Sequence, residues 1–211
     1  YGEVDQFGFD HGLPESLWPE TVKMIKMVRR LQPNALFRHR GLGPYGDYQT
    51  PEHWLPEGPD DPRLNKPWQA IEHYGTRWAW QPNDTYYGRE WILESLIDCA
   101  SKGGNFMVGV SPMPNGRFDQ RTQDDLRWVG EWLKVNGEAI YGASPWFIFG
   151  EGPSAAPTGS YSMHHNNHFA QIKFGEEDIR YTVNGSYLYA TCLGWPGESL
   201  TIKSLNSDYR V

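Results

Sequence analysis

The chain has 211 residues, a formal net charge of −7 at neutral pH and two cysteines with no CxxC spacing. That length suits one large domain, or one domain and part of a second. The charge argues against nucleic acid as a partner, the cysteine pattern against a redox motif or a structural zinc site, and no apolar run approaches the ~20 residues a helix needs to cross a bilayer.

Taken in order, Val4, Gln6 and Gly8 alternate with Asp5, Phe7 and Phe9 before Asp10 and a Gly/Pro turn at Gly12–Pro14. A short strand that delivers one carboxylate at its C-terminal end is how a (β/α) barrel places a catalytic group. The plainer alternative is an aspartate that caps a turn. The segment SLWPETVKMIKMVRRLQP predicts a helix capped by Ser16, with Pro19 in the first turn, Val22, Ile25, Val28 and Leu31 on one face, and Pro33 as its stop. Ala35–Arg40 reads as a second strand, and strand–helix–strand within this span implies parallel pairing.

Gly41–Pro67 reads as a long Gly/Pro/Asp-rich loop, and loops of that length inside compact units are usually functional or disordered. It contains GDYQTPEHW, which gathers Asp47, Glu52, His53 and Trp54 within nine residues. A third strand is expected over Tyr74–Trp80, a helix over Tyr86–Ala100, a nearly all-apolar strand over Asn105–Val110, and a helix over Gln120–Val135 with Leu126, Val129, Trp132 and Leu133 on one face. The pattern then changes. Gly150–Ser160 reads as a linker, and period-two segments near Ala170–Phe174, Ile179–Asn184, Leu188–Leu193 and Leu200–Leu205 read as antiparallel strands. His164, His165 and His168 lie in an Asn-rich stretch without a carboxylate partner, so no metal site is expected there.

Four strands with their helices occupy roughly 150 residues, whereas a complete eight-stranded barrel takes ~250. The expected fold is therefore α/β: the C-terminal half of a (β/α)8 TIM-like barrel over 1–149, a linker over 150–168, and the start of an antiparallel β-sandwich over 169–211. The other half of the barrel is expected upstream in a precursor or in a companion chain.

Several stretches, in this order, resemble the α-L-fucosidases of glycoside hydrolase family 29. They are VRRLQPNALFRHR (Val28–Arg40), GDYQTPE (Gly46–Glu52), TRWAW (Thr76–Trp80), SKGGNFMVGVSPMPNG (Ser101–Gly116), VGEWLKVNGEAIYGASPW (Val129–Trp146) and YLYATCLGWP (Tyr187–Pro196). The resemblance implies a retaining exo-glycosidase that removes terminal α-L-fucosyl residues from a fucosylated oligosaccharide or glycoconjugate, with no cofactor and no metal. It implies Asp10 as nucleophile, Glu52 as general acid/base with Asp47 as runner-up, and Arg40, Trp78, Trp54 and His39 as substrate contacts. In a retaining enzyme the two carboxyl groups stand ~5–5.5 Å apart, the nucleophile ionised and the acid protonated at the outset.

The chain also departs from the family pattern. Gly8 stands where a Trp is usual, Gln69 where some members have a Glu, and Met107-Val108-Gly109 where Leu-Leu-Asn is usual. These departures motivate two alternatives: a non-catalytic glycan-binding relative, or a hydrolase of another α-glycoside or a fucosylated polysaccharide. The expected setting is secreted, periplasmic or lysosomal rather than cytoplasmic. Self-association is left open.

Overall fold

The computed structural model describes residues 2–11, 14–155 and 173–205. The first unit opens with β1 (Gln6–Phe7), α1 (Trp18–Leu31) and β2 (Leu36–Phe37). The two strands pair in parallel, Gln6 opposite Leu36 and Phe7 opposite Phe37. The apolar face of α1 presses Ile25 onto Phe37 and Leu42, with Phe7, Phe9, Met24 and Val28 closing the cluster. Ser16 does not cap α1. It lies in a 3-10 turn, Glu15–Leu17, that runs into the helix, and the cap residue Leu17 makes no side-chain bond. Pro19 lies in the first turn, where its missing N–H leaves no partner wanting.

The long loop contributes to the sheet. Residues 48–52 run between β2 and the next strand as a line of parallel bridges: Arg38 with Tyr48, Gln49 with Trp68, and Glu52 with Ile71. Strand β3 is Gln69–His73, not Tyr74–Trp80, and it pairs in parallel with β4 (Asn105–Gly109) over five residues. Residues 74–80 turn away from the sheet, and the Trp78 ring packs against His73 at its end. α2 (Arg89–Ser101) lies between the two sheets, touching β4 on one side and β5 (Ser144–Glu151) and β6 (Ile179–Asn184) on the other. That position explains why Trp91, Ile92, Leu93, Ile97, Asp98 and Cys99 are all buried, rather than a single stripe. α3 (Gln120–Asn136) is capped by Asp119, whose carboxylate accepts the Thr122 N–H. Val129 joins the core around Trp68, Ala70, Tyr74 and Trp91.

The second sheet is antiparallel, in the order β5–β6–β7, with β7 at Tyr187–Cys192. β5 runs from Ser144 to Glu151, so the boundary expected at 149/150 falls inside a strand, and the first residues of the expected linker belong to the sheet. Residues 200–205 form no strand; Glu151 instead accepts the backbone N–H groups of Lys203 and Ser204. The expected strand at 170–174 lies partly outside the described residues, and His164, His165 and His168 lie wholly outside them.

Candidate active site

Parallel strands present their C-terminal ends at one rim, where such folds gather their chemistry. Asp10 follows β1, Arg40 follows β2, Glu52 closes the 48–52 segment and His73 closes β3. Arg40 links the first three. Its Nε donates to Thr50 Oγ1 at 2.9 Å, one terminal nitrogen donates to Asp10 Oδ1 at 3.2 Å, and the other bonds Glu52 Oε2 and the Thr50 carbonyl. The two carboxylates stand on separate arms of one guanidinium, whose planar fork suits that geometry. Asp10 is largely open to solvent, while Arg40 and Glu52 are mostly covered.

A second cluster adjoins Glu52. Glu72, on β3, has a fully buried side chain. It receives His53 Nδ1 at 2.9 and 3.1 Å and the His73 backbone N–H at 2.9 Å. His73 Nε2 lies 3.3 Å from Glu72, and its Nδ1 lies 2.6 Å from the Gly75 carbonyl. A carbonyl only accepts, so that nitrogen carries the hydrogen. The ligand atoms of His53, Glu72 and His73 fall within 4.8 Å of one another, the one trio among the described residues able to hold a metal ion. Sequence reasoning passed over Glu72 and His73 because the third strand was expected five residues too late. An acidic residue between Ile71 and His73 on a buried strand was the signal that would have found them.

The remaining expected contacts divide. Trp78 stands at the rim, edge-on to His73 with ring centroids 5.4 Å apart and 6.4 Å from His53. One face of Trp54 is covered by the Arg63 guanidinium at 4.3 Å, so that face is closed to a sugar. Arg63 also clamps Asp61 and holds its pKa down to about 2. His39 is tied through its backbone N–H to the Tyr48 carbonyl, and no bond joins its ring to Asp10 or Glu52 among the described residues. Burial, then the Arg40 charge, lowers the His39 pKa, which keeps the ring neutral. Asp47 has a structural place. It accepts from Arg29 at 2.8 and 3.0 Å and from the Phe37 N–H at 2.8 Å, pinning α1 to β2 away from the Asp10–Arg40–Glu52 group.

The departures also take their places. Gln69 begins β3, about 13 Å of strand before His73 at ~3.3 Å per residue. Its amide therefore lies at the end of the strand opposite the rim. A side chain at Gly8 would first meet Arg38, at an ordinary 3.8 Å. Gly109 ends β4 under the ring of Trp78, where an added Cβ would lie 2.4 Å from a ring carbon.

Residues 3–138 match the family model described as Alpha-L-fucosidase. The chain belongs to the alpha-L-fucosidase family. The family's tissue alpha-L-fucosidase from Rattus norvegicus is 30% identical over 109 residues, which cover 52% of this chain and 19% of that protein. The plasma alpha-L-fucosidase of Pongo abelii is 26% identical over 151 residues, 69% of this chain and 30% of its own. Among solved structures, alpha-L-fucosidase isoenzyme 1 from Paenibacillus thiaminolyticus aligns with a TM-score of 0.71 at 27% identity, covering 92% of this chain and 44% of that one. The Thermotoga maritima alpha-fucosidase, at 22% identity, shares the fold with a TM-score of 0.68 over 88% of this chain and 38% of that one. The chain thus spans less than half the length of each of these relatives.

Proposed function

We propose that this chain supplies both carboxyl groups of a retaining α-L-fucosidase, with Asp10 as nucleophile and Glu52 as general acid/base. The reading includes the fold: the four strands β1 to β4 as the C-terminal half of a (β/α)8 barrel, and β5–β7 as the opening of a β-sandwich. The observation that carries it is Arg40, which reaches Asp10 and Glu52 from one guanidinium at the C-terminal ends of neighbouring strands. In this reading an Asp10 oxygen attacks the anomeric carbon while the bond to the leaving oxygen breaks and Glu52 gives that oxygen its proton. Water then attacks the same carbon, its proton passes to Glu52, and the Asp10 carboxylate departs. Arg40 steadies Asp10 before attack and after release. Trp78 supplies an apolar wall for the sugar face, and the substrate is a fucosylated glycan.

Gly8 and Gln69, which favoured a non-catalytic relative, remove no group from the rim, because one faces Arg38 and the other lies at the far end of β3. The test is turnover of an aryl α-L-fucoside by the full protein carrying this chain. Asp10→Gly should abolish turnover, and azide or formate should restore part of it by taking the emptied place of the carboxylate. A folded variant that neither anion rescues would overturn the assignment.

A further inference from the structure

His53 has a left-handed backbone, φ 64°, a conformation shared among the described non-glycine residues by Asn83 alone. Asparagine visits that region readily. Histidine is also commoner there than most side chains, yet the geometry still costs on the order of 1–3 kcal/mol and persists only where the surroundings impose it. What holds His53 is Glu72. His53 Nδ1 lies 2.9 and 3.1 Å from the two carboxyl oxygens of the fully buried Glu72. The other ring nitrogen, Nε2, faces Glu52 Oε1 at 3.6 Å. Catalytic contacts of this kind are commonly long before substrate arrives and tighten in the complex. Arg40 occupies the other oxygen, Oε2. The two oxygens of Glu52 are therefore held differently, one against the Arg40 guanidinium and one against the His53 imidazole.

We propose that His53 is a positioning residue for Glu52. Anchored by Glu72, it flanks Glu52 Oε1 while Arg40 holds Oε2, so the carboxyl group is fixed in one orientation toward the leaving oxygen. The proposal rests on the reading of Glu52 as general acid/base.

Two variants of the full protein test it. His53→Asn keeps a residue suited to the left-handed backbone and withdraws the ring from Glu52. Glu72→Gln keeps the anchor's shape and removes its charge. Both should leave kcat nearly unchanged on an aryl fucoside with a strongly activated phenol, which needs little acid help. On an unactivated alkyl fucoside kcat should fall, at unchanged KM, by part of the ~10²–10⁴-fold that general acid–base catalysis supplies. Thermal melts report the stability each variant loses, and rates are compared per folded molecule, which separates positioning from folding. Equal losses on both substrates, or no loss on either, would overturn the proposal while leaving the fucosidase reading intact. A wild-type rate that changes with zinc(II) or EDTA would also overturn it, making His53, Glu72 and His73 a metal site. If the wild type hydrolyses no α-L-fucoside, the fucosidase reading itself fails, and this proposal with it.

Discussion

The chain contains two three-charge clusters built as opposites. At the rim one cation, Arg40, stands between two carboxylates, and the Asp10 side chain is 67% exposed. In the interior one carboxylate, Asp98 on α2, stands between two cations. Arg180 of β6 donates to it at 2.6 Å and Lys102 at 2.7 Å, with all three side chains at most 6% exposed. Phe149 and Phe174 lie over Arg180, 5.8 and 5.4 Å away, sealing the cluster from water. Because Asp98 belongs to α2 and Arg180 to β6, the inner cluster fastens the helix of the parallel unit to the antiparallel sheet. Charges removed from water must stay paired, since an orphaned partner costs several kcal/mol, whereas exposed pairs add little to stability. The inner cluster therefore has only a structural use, while the outer one keeps a carboxylate accessible to a ligand.

The sharpest break between the two should come from Asp10→Gly. Activity on an aryl α-L-fucoside should fall by a factor on the order of the 10⁶ that loss of a covalent nucleophile costs a serine protease. Urea unfolding should shift by no more than ~0.5 kcal/mol, as for exposed surface changes. Glu52→Gln comes next. It should cost ~10²–10⁴-fold on substrates with poor leaving groups and far less on activated aryl fucosides, because only the former need the proton. Equal losses would move the acid role elsewhere.

The inner cluster should behave in the reverse way. Asp98→Ala should destabilise the protein by ~3–5 kcal/mol in urea unfolding, by leaving Arg180 and Lys102 buried without their counter-charge. Activity per folded molecule should persist. The same carboxylate gives a pH signature. Lys102 and Arg180 outweigh burial and hold the Asp98 pKa below its ordinary 3.8. The unfolded chain therefore binds a proton at a pH where the folded one does not. The stability Asp98 contributes is present above about pH 4 and is lost as pH falls through the lower folded-state value. Asp98→Asn should flatten that acid limb in thermal melts, and an unchanged limb would assign it to other carboxylates.

The sequence made some of this legible and hid the rest for identifiable reasons. α1 and α3 each bury one face, so their apolar residues recur with the helical period. β1 and β2 were legible from their place around α1. The bridging segment 48–52 was not, because Tyr48, Gln49, Thr50, Pro51 and Glu52 have no apolar strand pattern, and it holds its place through isolated bridges to β2 and β3. β3 was displaced to Tyr74–Trp80 because that aromatic run looks like a strand. Its rings instead serve other contacts: Tyr74 bonds Asp125, and Trp78 closes on His73. The joining of Asp10 and Glu52 through Arg40 was not readable from spacing, since 42 residues separate the two carboxylates. Resemblance named the three, and the parallel pairing explains their meeting. The Asp98–Arg180 contact, 82 residues apart, had no local signal.

The smallest effect concerns the wall between rim and core. Gly109 stands opposite His73 in the β3–β4 register, and the Trp78 ring lies against it. Ser111 Oγ donates to the Trp78 carbonyl at 2.5 Å and fixes the backbone that carries the ring. With a ring carbon 2.4 Å from where a Cβ would stand, even alanine must push Trp78 outward. The glycine is thus a consequence of seating a tryptophan there. Gly109→Ala should cost ~1–3 kcal/mol as an overpacked contact, and, with Trp78 as the proposed pocket wall, should raise KM for an aryl α-L-fucoside while moving kcat less. Trp78→Phe combined with Gly109→Ala should recover part of the loss, since a smaller ring leaves room for the methyl group. If KM is unchanged by Gly109→Ala and the melting temperature falls alone, Trp78 belongs to the core and not to the sugar pocket.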